Sequence, residues 1–212
     1  MLNKVCYCDL DGVFVPYPKC WLKFIEFKTG KRFDSLEEAK ESLTYTKYIS
    51  LKKDYRSSDF KYNLMPRRGS SDFTKFLHEE GYFIVIATTR PSSHPQLLIK
   101  TIRWLDRNNI LFDDIIFHKH IDVVTKYPDL TFGVEDEPQV ANLVARWGYK
   151  MFLMRNGRDI DYLFRNVILV EDFEDIIKMI QNEEDKEEEQ SYLHFEIGTK
   201  TSPLINRIAE KF

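Results

Sequence analysis

Two aspartates stand two apart in Asp9-Leu10-Asp11-Gly12-Val13, directly after the apolar run Lys4 to Leu10. Alternate residues of an extended chain project to one side, so both carboxylates are expected to face one site, and Gly12 permits a sharp turn beside them. Facing carboxylates repel unless a cation intervenes, which points to a hard divalent metal with oxygen ligands, Mg²⁺ before others. A calcium loop is excluded, because its third acidic position would fall on Val13 and its twelfth on Cys20. The competing reading is a turn or surface pair without function.

Three later apolar runs also end in polar residues. Ala87-Thr88-Thr89-Arg90-Pro91 follows the run from Phe83; Thr88 can donate to a phosphoryl oxygen and Arg90 can clamp one bidentately. A Thr-capped turn before Pro91 explains them equally well. Lys119 follows Ile115 to Phe117, where a solvated lysine is the ordinary reading, and His118 and His120 read as surface or capping residues. Glu135-Asp136-Glu137 follows the run Leu130 to Val134. One of these acids can complete a metal site, although a helix N-terminus that favours negative charge also accounts for them. The series acid pair, hydroxyl, lysine, acid pair, each at the end of an apolar run, outweighs any one of its members.

The elements that must position these residues follow from periodicity. Further apolar runs at Met151 to Met154 and Val167 to Val170 suit strands buried on both faces. Helical patterns lie between them. Ser71 is expected to cap a helix carrying Phe73, Phe76 and Leu77; Leu98, Ile102 and Leu105 share a face of the next; Gln139 to Trp147 forms a third, ended by Gly148. The alternation predicts an α/β architecture, a Rossmann-like doubly wound parallel sheet whose ligands sit at the carboxyl ends of the strands. Residues 14–68 interrupt it as a small helical cap inserted after the first strand. Pro18 to Lys28 and Ser35 to Leu43 read there as helices, the second opened by a Ser35/Glu38 capping box. Residues 1–13 and 69–181 are then the core, 182–190 an acidic linker and 191–212 a tail that adds a strand and a helix from Pro203 to Lys211.

Composition excludes several classes. The chain has 212 residues, 43% apolar and 31% charged, enough for a real core and far from disordered or fibrous compositions. No apolar run approaches the ~18 residues of a membrane span, and the N-terminus lacks the pattern of a signal peptide, which places the chain in the cytoplasm. Cys6, Cys8 and Cys20 are too few for a disulfide scaffold and wrongly spaced for zinc; buried thiols are expected. Residues 14–68 hold thirteen Lys and Arg against seven Asp and Glu, whereas residues 171–190 hold ten acids against two bases. The first stretch attracts an anion and the second reads as solvated.

The four motifs, Asp9 to Val13, Thr88, Lys119, and Glu135 with Asp136, resemble those of the haloacid dehalogenase superfamily of phosphotransferases over roughly residues 4 to 155. The segment from Asp54 through Arg90-Pro91 to Trp104 is similar to 5′-deoxyribonucleotidases. The surroundings of Lys119 and of Glu135-Asp136 resemble the phosphatase half of phage polynucleotide kinases. The fourth motif departs from many relatives in carrying Glu-Asp for Asp-Asp, and Lys126 is a less well placed alternative to Lys119. The resemblance implies that Asp9 is the nucleophile and Asp11 the general acid and base. It further implies that Asp9, Asp11 (through its backbone carbonyl) and Asp136 hold Mg²⁺ with Glu135 beside them, and that Thr88 and Lys119, with Arg90, bind the phosphate.

A nucleoside monophosphate is the expected substrate, with Tyr17, Trp21, Tyr48 and Arg56 of the insertion as candidate contacts and core packing as the alternative for each. A 3′-phosphatase for DNA or RNA ends is the second reading, since a basic insertion can follow a phosphate backbone. A non-enzymatic phosphoacceptor is the third, because receiver domains also combine an acid pair, a hydroxyl and a lysine. No nucleotide-binding P-loop and no dinucleotide fingerprint occurs.

Overall fold

A computed structural model describes residues 4–90, 94–117, 121–157, 160–183 and 185. The expected strand and helix of the tail lie outside these residues. Two compact units divide the chain, Met1–Phe173 and Glu174–Phe212. In the second, residues 174–183 are helical and Lys178 pairs with Glu174 at 3.2 Å.

The first unit is built on six strands: β1 (Lys4–Asp9), β2 (Tyr82–Ala87), β3 (Asp114–Ile116), β4 (Leu130–Glu135), β5 (Lys150–Met154) and β6 (Val167–Val170). All pair in parallel, in the order β3-β2-β1-β4-β5-β6. Helices follow most strands: α5 (Ser70–Glu79) precedes β2, α6 (Pro95–Arg107) precedes β3, α7 (Ile121–Lys126) precedes β4 and α8 (Pro138–Ala145) precedes β5. The predicted doubly wound sheet is therefore present. Its strands are nearly continuous apolar runs because both faces are covered: Tyr7, Val85 and Leu153 join one core cluster, while Cys6, Ile84 and Phe152 between them are equally buried. The strand order reverses direction between β1 and β4, and at that point the crevice at the carboxyl edge opens. Register brings the exits level there, Asp9 opposite Ala87 and Cys8 opposite Val134.

Gly133 of β4 serves this alignment. A Cβ there would lie 2.3 Å from the Tyr7 ring, so only glycine lets the ring cross the neighbouring strand. Among the described residues no helix is long and apolar enough to cross a membrane. All three cysteines are buried free thiols, as expected.

The insertion holds four helices: α1 (Lys19–Thr29), α2 (Leu36–Ser42), α3 (Tyr45–Ser57) and α4 (Asp59–Tyr62). The capping box at α2 forms: Ser35 Oγ accepts from Glu38 N at 3.1 Å, and the Glu38 carboxylate reaches back to Asp34 N at 2.8 Å. Helix α3 was not read from the sequence, since only Tyr48, Leu51 and Tyr55 of its thirteen residues are buried. Tyr48 meets Trp21 of α1, and Tyr55 meets Cys20, Trp21 and Phe24. Trp21 stacks on Phe24 at 5.9 Å, meets Tyr48 edge-on at 5.6 Å and donates its ring N–H to Tyr48 Oη at 3.2 Å. Two helix expectations need correction. Ser71 lies inside α5, whose cap position is Gly69. On α6 the buried residues are Thr101, Trp104 and Leu105, and Ile102 is exposed, because this face packs toward the insertion as well as the sheet: Trp104 Nε1 donates to Leu64 O at 2.9 Å.

Candidate active site

Strand β1 delivers Asp9 to the carboxyl edge, and β4 delivers Glu135 with Asp136 just beyond it. All three are buried, and one carboxylate oxygen from each lies within 4.8 Å of the others. Glu135 Oε1 accepts from Tyr7 Oη at 3.1 Å. Burial and then Glu135 hold the Tyr7 hydroxyl well above its ordinary range, so it remains the donor.

The backbone turns away immediately after Asp9. Phe14 N and Val15 N both donate to Leu10 O, and Gly12 N donates to Val15 O at 2.9 Å. Gly12 adopts φ +113°, and a Cβ on it would fall 2.0 Å from Asp136 Cγ. The missing side chain is thus the space that Asp136 occupies. Asn156, beyond the end of β5, donates to Gly12 O at 2.8 Å and to Asp136 Oδ2 at 3.3 Å. Arg67 donates to Gly12 O, to Val13 O and to the Asn156 side-chain oxygen. These two residues fix the turn against the acid, and neither was singled out from the sequence. Asn156 follows an apolar run as the other site residues do, so the same signal points to it; Arg67 carries no such mark.

That turn corrects one expectation. The Asp11 carboxylate does not join Asp9 in the acid group, because the strand ends at Asp9 and alternation lapses with it. The Asp11 carboxylate instead accepts from Arg90, Nη2 to Oδ1 at 2.7 Å and Nε to Oδ2 at 2.9 Å, and from Lys61 Nζ at 2.8 Å. Burial would raise the Asp11 carboxyl, but Arg90 and then Lys61 hold it well below the usual carboxylate range. Lys61 comes from α4 in the insertion. Burial pushes its ammonium down to about 8 against the opposing pull of Asp11. Helix α6 holds α4 in place through Lys100 to Asp59 at 2.7 Å and Arg107 to Tyr62 O.

Arg90 is buried. It donates to Thr101 Oγ1 at 3.2 Å and lies over the Tyr62 ring at 5.6 Å. Thr88 is buried at the exit of β2, and its hydroxyl accepts from Arg90 N at 3.3 Å, so the Thr-capped turn does form. Lys119, with His118 and His120, lies outside the described residues. Lys126 is bound at 2.6 Å to Asp114, the first residue of the edge strand β3, two strands from β1.

The four candidate substrate contacts separate. Trp21 and Tyr48 are buried in the insertion core, packed edge-on against each other, which is the alternative stated for each. Tyr17 is half-buried, next to the cis peptide at Pro18. Arg56 alone of the four lines a pocket with Asp11, Lys61, Arg90 and Thr89.

Three buried carboxylate groups gathered on a space no larger than 4.8 Å form an all-oxygen donor set of the type hard divalent cations take. The residues present therefore fit Mg²⁺, with Asp9 and Asp136 as holders and Glu135, tied to Tyr7, beside them. The Asp11 side chain lies outside this group, paired with its two cations.

No protein-family model matches the sequence, and no curated protein matches it. Solved structures do. A D,D-heptose 1,7-bisphosphate phosphatase from Burkholderia thailandensis shares 13% identity over 84% of this chain and 99% of its own, with a TM-score of 0.53. Another such phosphatase, from B. bronchiseptica and complexed with magnesium and phosphate, shares 17% over 85% and 99%, TM-score 0.52. A haloacid dehalogenase-like family hydrolase from Xanthomonas campestris shares 10% over 85% and 95%, TM-score 0.53. At these identities the likeness speaks for architecture, which also differs from the 2-1-3-4-5 order of receiver-type sheets. Six parallel strands with acids at the β1 and β4 exits and helices inserted after β1 give this chain the haloacid dehalogenase fold.

Proposed function

We propose that this chain is a magnesium-dependent phosphomonoesterase that works through an aspartyl-phosphate. The observation that carries the reading is the convergence of Asp9, Glu135 and Asp136 at the point where the sheet reverses. Structural neighbours named as phosphatases, one of them with magnesium and phosphate, support it. In this reading residues 14–68 are a cap over a core of 1–13 and 69–181, and the protein works in the cytoplasm.

The Asp9 carboxylate attacks phosphorus, and the bond to the ester oxygen breaks as Asp11, protonated from solvent once Arg90 has turned to the phosphoryl group, gives that oxygen the proton. A water molecule, losing its proton to Asp11, then attacks the aspartyl-phosphate, releasing inorganic phosphate and restoring Asp9. Thr88, Lys119 and Arg90 hold the phosphoryl oxygens. Asp9, Asp136 and the backbone carbonyl of Asp11 would hold Mg²⁺, which would supply charge neutralisation for the crowded acids and the phosphoryl group. Nucleoside monophosphates are the proposed substrates, and the insertion's Arg56, at the pocket rim, is the residue placed to meet the remainder of the molecule.

Phosphate release from nucleoside monophosphates, sugar phosphates and 3′-phosphorylated oligonucleotides, with and without a chelator, tests the proposal. Release is expected to require Mg²⁺, and Asp9→Asn is expected to lower it ~10³-fold or more with the fold intact. Metal-independent turnover refutes the site, and oligonucleotides preferred by orders of magnitude refute the substrate class.

A further inference from the structure

Asp11 is bound the way a protein binds a ligand anion. Both of its oxygens meet the Arg90 fork, and Oδ2 also takes Lys61 Nζ, the donor set that elsewhere recognises carboxylate or phosphate. Arg90 and Lys61 are only 7% and 5% exposed, and among the described residues Asp11 is the sole acid either one pairs with. Their own positions do not depend on it alone: Arg90 is fixed by Thr101 and Tyr62, and Lys61 lies against the Tyr55 ring at 5.4 Å. The group forms one wall of a pocket that also presents Arg56 and the Thr89 backbone turn. Three cations thus face that pocket, and its one internal anion is Asp11.

We propose that the Asp11 carboxylate is an internal stand-in for the substrate's phosphoryl group, and that Lys61, supplied by the insertion, becomes a phosphate ligand when an arriving phosphoryl group takes Asp11's place on Lys61 and Arg90. The proposal deepens the phosphatase reading and rests on it for the identity of the anion. Displacement also frees the Asp11 side chain to meet the leaving oxygen, so that a group which would otherwise stay neutralised is released only when substrate is present. An internal competitor lowers the apparent affinity for phosphate by the fraction of time the site is open. Removing that competitor while keeping its shape must therefore tighten binding.

The experiment is calorimetric titration of inorganic phosphate into the full chain in the presence of Mg²⁺. Asp11→Asn is expected to bind phosphate about tenfold or more tightly than the native chain. In the double variant with Lys61→Met the gain is expected to disappear, while Lys61→Arg in the same background keeps most of it; the non-additivity isolates the exchange from a general loss of negative charge. Phosphate bound no more tightly by Asp11→Asn, or a gain that survives in full without Lys61, overturns the proposal. Should Asp11→Asn fail to fold, Lys61→Met alone decides: about tenfold weaker phosphate binding with an unchanged circular-dichroism spectrum supports the exchange, and unchanged binding overturns it. The two readings fail separately. Tightened binding in a chain without phosphatase activity leaves the anion site standing, whereas turnover with no tightening leaves only the catalytic reading.

Discussion

Asp9 and Asp11 are separated by one residue, yet the protein gives them opposite electrostatic company. On the sheet side Asp9 keeps two further acids, Glu135 and Asp136, within 4.8 Å. On the insertion side Asp11 sits between Arg90 and Lys61. Buried like charges are costly unless a counter-charge compensates, so the sheet side is built to receive a cation. The insertion side carries two cations for one acid and is built to receive an anion. A phosphate ester together with a divalent metal supplies both. The difference arises at Gly12, where the chain turns and sends the second carboxylate toward α4 in place of the metal side.

The comparison breaks most strongly at Trp21. If the insertion is a packed body whose task is to hold Lys61 and Arg56 at the pocket, emptying its centre removes the cationic side and leaves the acidic one. Trp21→Ala is expected to cost about 3–5 kcal/mol in chemical denaturation and to weaken phosphate release, while stabilisation of the core by Mg²⁺ persists. A variant that melts like the native chain and changes only KM would return Trp21 to the role of a substrate contact.

Gly12→Ala probes the acidic side. Its Cβ would meet the Asp136 carboxylate at 2.0 Å, at a φ that side chains rarely adopt, so either the acid or the turn must move. Displacing the residues that orient a metal ligand weakens metal use by roughly 10–100-fold. The Mg²⁺ concentration giving half-maximal phosphate release should rise by that factor, and an unchanged titration would mean that Asp136 does not serve the metal.

The two sides also differed in how far they could be read beforehand. Asp9, Thr88, Glu135 and Asp136 were legible because a buried parallel strand is an apolar run with abrupt ends, and in such a sheet the residues at those ends share an edge. Lys61 was not legible. It lies on a four-residue helix among other basic residues, and it is ties made at long range, Lys100 to Asp59, Arg107 to Tyr62 O and Trp104 to Leu64 O, that fix this stretch beside Asp11. Helix α3 escaped because its inward face is three side chains wide, although Thr44, whose hydroxyl accepts from Lys47 N, was a usable start signal. The direction of the Asp11 side chain escaped for a different reason: period-two reasoning holds only while the chain stays extended, and the strand ends two residues before it.

A third acid supplies the control and the smallest effect. Asp114, on the edge strand β3, accepts from Lys126 at 2.6 Å and from Tyr127 Oη at 2.7 Å. Burial would raise its carboxyl, but these hydrogen bonds hold it below the ordinary value. With the folded value depressed, the unfolded chain takes up a proton first as pH falls, so the stabilisation is fully present above about pH 4 and fades below it. Asp114→Asn should therefore melt at most a few °C below the native chain at pH 7, with the gap narrowing as pH falls through the carboxylate range, and phosphate release at pH 7 should stay unchanged. The same pair tests the lysine of the third motif. Lys126 is paired with Asp114 on β3, two strands from β1, so Lys126→Met should retain full turnover; a tenfold fall would transfer to Lys126 the part assigned here to Lys119.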